Sequence, residues 1–136
     1  MNTNTISTIG RVLLATIFVF SGVGKVMAPE ATIGYIASSG LPFATLAFAG
    51  AVAVELGGGL ALAFGFKARI VAAVLAAFSV VTALAFHNNF GDQNQLIHFL
   101  KNIAMAGGLL QVVAYSVSQP VTAAKAAVSA QAKARA

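Results

Sequence analysis

The chain reads as all-α: an integral membrane four-helix bundle with both its N and C termini cytoplasmic. Three observations predict this. Of 136 residues, 59% are hydrophobic and only 8% charged, against about 25% charge in an ordinary soluble domain; the mean hydropathy is +0.89. The apolar residues gather in four runs, 10–27, 42–65, 70–86 and 96–116, each near the roughly 17–25 residues that cross a hydrocarbon core of about 30 Å. The basic residues alternate between the ends of these runs in a way that fixes orientation. A soluble core of this length could not hide so much apolar surface, whereas lipid solvates it directly. Residues 1–116 therefore form a single four-span domain, and 117–136 a basic, Ala-rich cytoplasmic tail.

The first span follows Arg11 and ends with Ser21 and Lys25, four residues apart and so on one helical face. Arg11 and the Val26-Met27-Ala28 sequence resemble a signal peptide. Lys25 just before the would-be cleavage site and Pro29 just after it argue for an uncleaved signal anchor. In the first outer connection, Glu30 to Ala37 suits a short interfacial helix, with Pro29 near its start and Tyr35 at headgroup level, lying over the outer end of the bundle.

In the second span Ala49, Ala53, Gly57, Ala61 and Gly65 recur every fourth residue, a smooth groove for a neighbouring helix. Gly57-Gly58-Gly59 and Gly107-Gly108 would weaken soluble helices, but in a membrane small residues let helices approach closely. Lys67 and Arg69 fill the tight second connection. Ala72 and Ala76, with Ala73 and Ala77, give the third span its small face. The outer connection 87–95 is dense in side-chain donors and acceptors and has no resemblance to an ordered ion-binding loop such as an EF-hand.

On the fourth span Lys101, Ala104, Gly108, Gln111 and Tyr115 keep the three-and-four rhythm of one helical face, with His98 one turn further out. That polar, small stripe is expected to look inward, leaving Ile103, Leu110 and Val113 to lipid or other helices. The tail carries Lys125, Lys133 and Arg135. With Arg11, Lys67 and Arg69 it places every strongly basic region on one side, the cytoplasmic side by the positive-inside rule. Topology and anionic lipid account for the net charge of +5; a nucleic-acid partner would need a basic soluble face that is absent.

The chain has no cysteine, which excludes thiolate catalysis, disulfide exchange, iron–sulfur clusters and Cys-ligated zinc within it. Any redox role must borrow its electron carrier. What needs explaining is charge inside the spans, since a carboxylate or ammonium in hydrocarbon costs about 2.5–3.5 kcal/mol on insertion scales. Glu55 and Lys101 are those charges. At roughly 1.5 Å per residue, Lys101 lies roughly 8 Å and Glu55 roughly 20 Å below the outer ends of their helices. They need not touch, because side chains tilt toward the helix N-terminus and Lys101 would snorkel outward. Gln111 and Ser79 lie nearer the depth of Glu55 as alternative partners. The outer half of the bundle gathers Ser21, Lys25, His87, Asn88, His98, Lys101 and Asn102.

These residues fall into a longer series. Arg11, Ser21-Gly22-Val23-Gly24-Lys25, Gly40-Leu41-Pro42, Glu55-Leu56-Gly57-Gly58-Gly59-Leu60, Gly65-Phe66-Lys67-Ala68-Arg69, Phe86-His87 and Phe99-Leu100-Lys101-Asn102-Ile103-Ala104, followed by Gly107-Gly108-Leu109-Leu110, resemble in order and spacing the DoxX family of small four-span membrane proteins. The resemblance covers nearly the whole chain before the tail. It implies a DoxX-like bundle in the bacterial inner membrane and an assignment as an oxidoreductase component, some relatives being linked to quinone-coupled oxidation of sulfur compounds.

The leading expectation is an accessory or quinone-interacting subunit of a membrane oxidoreductase. Quinone carbonyls need donors as charge builds during reduction, which Lys25, His87, His98, Lys101 and Asn102 could supply, and a carboxyl such as Glu55 could exchange protons. Glu55 and Lys101 are then the candidate catalytic residues, quinone is the only cofactor expected, and partner proteins of the oxidoreductase stand beside the lipid bilayer. His87 and His98 alone make a thin haem or metal site, so neither is expected; interfacial hydrogen bonding is the plainer role. A structural polar network locking helices together is the plainer role for Glu55 and Lys101, and a headgroup anchor for Lys25. Two alternatives stay open. One is a non-enzymatic scaffold or assembly factor binding partners, or a second copy, through small-residue faces. The other is a small-solute transporter, for which the likeness of Gly57-Gly58-Gly59-Leu60 to Ala106-Gly107-Gly108-Leu109 offers a faint internal repeat.

Overall fold

The computed structural model describes residues 2–134, with side chains for all of these except 117–123. Arg135, one of the basic residues of the tail, lies outside the described residues. Helix α1 covers Thr3–Met27, α2 Pro29–Ser38, α3 Ala44–Val52, α4 Gly59–Phe64, α5 Ala68–Phe86 and α6 Gln93–Ala134. A π-helical turn, Ala53–Gly58, joins α3 to α4 in one continuous span. Four stretches are long and apolar enough to cross a membrane: Thr3–Met27, Ala44–Phe64, Ala68–Phe86 and Gln93–Ser116. Among the described residues there is no strand.

Local chemistry sets the ends. Asn2 caps α1, its Oδ1 accepting from the Thr5 N–H at 2.9 Å, so the helix starts well before the apolar run and its first turns are polar. Pro29 stops α1 and starts α2, where a missing N–H costs nothing. The second span closes in a Schellman motif: the Phe66 N–H donates to Ala61 O (2.9 Å) and the Gly65 N–H to Leu62 O (3.1 Å). Gly65 takes φ +76 there, a left-handed conformation that a Cβ would strain. Asp92 caps α6 by accepting from the Gln95 N–H at 3.0 Å. Beyond Ser116 the helix continues to Ala134 without a break.

α1 packs against α4 and the π-turn, and α5 lies along α6. Leu62, Leu75 and Leu109 are fully buried between Ala15, Phe18, Ala72, Ala76 and Ala106, so large side chains of one helix fill spaces left by alanines of the next. α2 folds over the end opposite Arg11, Lys67 and Arg69, burying Ile36 and stacking Tyr35 on Phe86 at 5.5 Å.

Three helical faces differ from the sequence reading. Ala49, Ala53 and Gly57 are exposed, and only Ala61 and Gly65 of that stripe are half-buried. The π-turn divides the stripe: each i→i+5 turn takes in an extra residue and rotates the downstream part of the helix by about 100°, so Ala49, Ala53 and Gly57 share the exposed face while Ala61 and Gly65 turn toward the bundle. The close approaches fall instead at Gly22, Gly58, Gly59 and Gly108, where an added Cβ would meet Leu56, Leu75, Val19 and Leu14 within 2.7–3.2 Å. On α6, Lys101, Ala104 and Gln111 are exposed and Gly108 and Tyr115 half-buried, while Ala106 and Leu109 are buried. Burial of apolar surface, with Asn102, Met105, Val112 and Val113 beside it, outweighs the polar stripe as the packing face. On α5, Ala72 and Ala76 are buried but Ala73 and Ala77 are exposed.

Candidate functional site

Glu55 is buried, with 5% of its surface exposed, and the partner it finds is Lys25. The Lys25 Nζ lies 2.9 Å from Oε2 and 3.0 Å from Oε1 of Glu55. Ser21 completes the group: its hydroxyl donates to Glu55 Oε1 at 3.1 Å and accepts from Lys25 Nζ at 2.8 Å. Neither of the alternative partners is used. Gln111 is exposed, and the Ser79 hydroxyl donates to Leu75 O of its own helix at 2.9 Å.

The pairing follows from backbone direction. α1 and the second span are antiparallel, and every side chain leans toward the N-terminus of its helix. Lys25, near the C-terminal end of α1, leans into the bilayer; Glu55, on a helix entering from the other side, leans out to meet it. Lys101, on a helix running the same way as that of Glu55, leans away. The π-turn adds a second cause, because Glu55 sits inside it, and π-turns recur at functional positions since they re-aim a side chain and loosen the hydrogen-bond ladder.

The electrostatics of the group are asymmetric. Lys25 keeps 24% of its side chain exposed and Glu55 only 6%, so the carboxylate is the more enclosed of the two groups. Oε1 accepts both hydrogen bonds. Oε2 is buried and lies closest to the ammonium, 2.9 Å from Nζ. Lys25 is therefore the half-buried counter-ion of Glu55 rather than a headgroup anchor.

The second polar group stands at the same end of the bundle. His87 and His98 stack with centroids 5.1 Å apart, and His87 Nδ1 is 3.0 Å from Gln95 Oε1. Asn102 donates to His98 O at 3.0 Å, and Asn88 to Leu84 O at 3.1 Å. Lys101 is exposed and makes no ion pair among the described residues. Of the sequence-derived site residues, then, Glu55 and Lys25 meet, His87 and His98 meet, Asn102 adjoins His98 through its backbone, and Lys101 stands apart from Glu55. Arg11, Lys67 and Arg69 line an opening at the other end. Ser21 enters the sequence reading as a member of the outer polar group on one face with Lys25, though with no role of its own; Gln95 is not among the sequence-derived site residues, and stands third in α6, a capping position. Among the described residues no three His, Asp or Glu side chains come close enough to hold a metal ion.

A four-span bundle with a carboxylate–ammonium pair locked between its first two spans is a small integral membrane protein whose polar chemistry is internal. The DoxX family model matches residues 6–88, and the chain belongs to the DoxX family. It is 34% identical over 116 residues to the inner membrane protein YqjF of Escherichia coli (strain K12), covering 82% of this chain and 88% of that protein. It is 32% identical over 107 residues to the inner membrane protein YphA of the same organism, covering 75% of this chain and 76% of that protein. No solved structure matches. The protein is an inner-membrane protein.

Proposed function

We propose that this protein is an accessory, quinone-interacting subunit of a membrane oxidoreductase, with Lys25 and Glu55 rather than Lys101 and Glu55 as its working pair. The observation that carries the reading is a carboxylate, Glu55, only 5% exposed inside the bundle and held 2.9 Å from the ammonium of the half-buried Lys25. An enclosed carboxylate beside an ammonium and a hydroxyl is a group that can exchange protons with a bound molecule. Quinone would supply the redox chemistry, taking two electrons from the partner enzyme and two protons to become the quinol. In this reading Lys25 would hydrogen-bond a carbonyl oxygen, Ser21 would hold the ammonium in position, and Glu55 would hold a proton. His98 and Asn102 are further polar groups at that end of the bundle.

The test uses purified full-length protein and membranes containing it. A photoreactive ubiquinone analogue should label the wild type and label Lys25→Met at least about tenfold less, the loss of one charge-assisted donor. Glu55→Gln should fold and bind the analogue but lower quinone-linked turnover in the membranes. Absence of labelling, or turnover unchanged in both variants, overturns the proposal.

The exposure of Ala49, Ala53 and Gly57 along one face of the second span favours a second reading, a scaffold that docks a partner helix or a second copy there. Bulky substitution at Ala53 should then abolish recovery of the partner without affecting quinone labelling.

A further inference from the structure

The opposite end of the bundle holds an arrangement that the proton-exchange reading does not use. An open cavity of about 940 Å³ lies between the start of α5 and α6, roofed by Arg11 of α1. Arg11, Lys67 and Arg69 bring three cations to it, and Ile70, Val74 and Val113 form an apolar wall running along the spans.

No acidic side chain offsets this cluster. The chain has three acidic side chains in all. Glu55 is bound to Lys25, and Glu30 in α2 and Asp92 at the start of α6 stand at the far end. The first turn of α5 adds to the deficit: it carries neither a capping side chain nor an acidic residue, so the positive end of the helix dipole faces the same cavity. Arg11 is held there by construction. Gly65 leaves room for its guanidinium, since a Cβ at that position would stand 3.1 Å from Nη2. Its hydrogen bond to Thr8 Oγ1 is long, at 3.4 Å, and its buried Nε has no hydrogen-bond partner. A half-buried arginine with an unmet N–H, beside two more cations and a helix start without a capping side chain, suits the binding of a phosphate group.

We infer that this cavity binds the phosphate headgroup of an anionic phospholipid, the phosphate lying among Arg11, Lys67, Arg69 and the start of α5, and an acyl chain against Ile70, Val74 and Val113. The apolar wall decides for lipid over a free anion. Ile70 is 62% and Val74 49% exposed, a poor surround for inorganic phosphate but a fitting one for a chain entering the bilayer. The charge distribution places this end in the cytoplasmic leaflet, where anionic lipids are enriched and basic pockets between helices take their headgroups.

The test is native mass spectrometry of the full chain released from nanodiscs of mixed phosphatidylglycerol and phosphatidylcholine, together with thermal stability in detergent on adding either lipid or inorganic phosphate. One phosphatidylglycerol should be retained per chain, with a preference of at least about tenfold over phosphatidylcholine, equivalent to about 1.4 kcal/mol. Arg11→Gln should abolish that preference, and so should Lys67→Gln combined with Arg69→Gln, which spares the α1 contact should Arg11→Gln fail to fold. Lys133→Gln, which removes one charge from the tail, should retain it. Equal loss in Lys133→Gln would show attraction by net charge alone and overturn the site; protection by inorganic phosphate equal to that by phosphatidylglycerol would overturn the lipid assignment.

Discussion

Lys25 and Glu55 close a bridge between two antiparallel spans, the Nζ lying 2.9 and 3.0 Å from the two carboxylate oxygens. It joins the end of α1 to the one segment of the second span that departs from α-helical geometry. Each charge alone would be expensive in hydrocarbon, and each is placed so that its natural tilt brings it to the other. The bridge thus ties helix docking to the correct seating of the π-turn.

Breaking that bridge from one side should cost more than removing it entirely. Lys25→Met leaves Glu55 buried without its counter-ion, and a loss of about 3 kcal/mol is expected, the low end for a broken buried pair because part of Lys25 is solvated. Lys25→Met combined with Glu55→Leu should recover most of it. Lys101→Ala, at an exposed position, should change stability by less than about 0.5 kcal/mol. Thermal unfolding of the wild type, Lys25→Met, Glu55→Leu and the double variant in one detergent measures the cycle, with Lys101→Ala beside it.

Gly22 and Gly24 give a paired test of helix approach. A Cβ at position 22 would lie 2.7 Å from Leu56 Cγ, whereas nothing lies within 4 Å of one at position 24. Gly22→Ala should destabilise by about 1–3 kcal/mol. Gly24→Ala should be neutral or stabilising by up to about 1 kcal/mol. Midpoints of denaturation in mixed micelles distinguish the two.

α2 is held down partly by the Tyr35–Phe86 stack. Tyr35→Ala removes the ring pair, about 0.5–1.5 kcal/mol beyond its area, and should release the segment before the bundle opens. Proteolysis of inverted or right-side-out vesicles should cut within Pro29–Ser38 faster in the variant, with the remaining spans protected.

Deleting Gly57 should turn the π-turn into ordinary α-helix while keeping four spans. With α4 docked on α1, Glu55 would swing by about 100° off the bundle axis, and the protein should lose at least as much stability as Lys25→Met. A further loss on adding Lys25→Met to the deletion would show that the bridge had survived and that the π-turn does not aim it.

The four spans were legible because lipid imposes length and composition on any helix that crosses it, and the runs around Gly10, Pro42, Ile70 and Leu96 satisfy both. Helix faces were less so. Spacing by fours assumes a regular helix, and nothing in the Gly57-Gly58-Gly59 run distinguishes a π-turn from close packing, so the spacing assigns Ala49, Ala53 and Gly57 to the interior. On α6 a polar stripe containing Lys101 competes with an apolar one centred on Ala106 and Leu109, and packing volume decides. The Lys25–Glu55 pair was within reach: the tilt that sends Lys101 outward sends Lys25 inward, and applying it to the first span joins the two charges. The cation cluster was visible as Arg11, Lys67 and Arg69 but only as an orientation signal. That all three converge on one cavity depends on where α1 crosses the Gly65 turn, which is tertiary information.

The π-turn also bears on how relatives are compared. It is equivalent to one extra codon in the second span, placed between residues that face Lys25 and residues that face α1 and α5. A family member that lacks the extra residue will align without gaps on either side of it and yet present a different face to its neighbours on one side, so a single-residue gap near Gly57 separates chains able to aim this carboxylate at Lys25 from chains that are not.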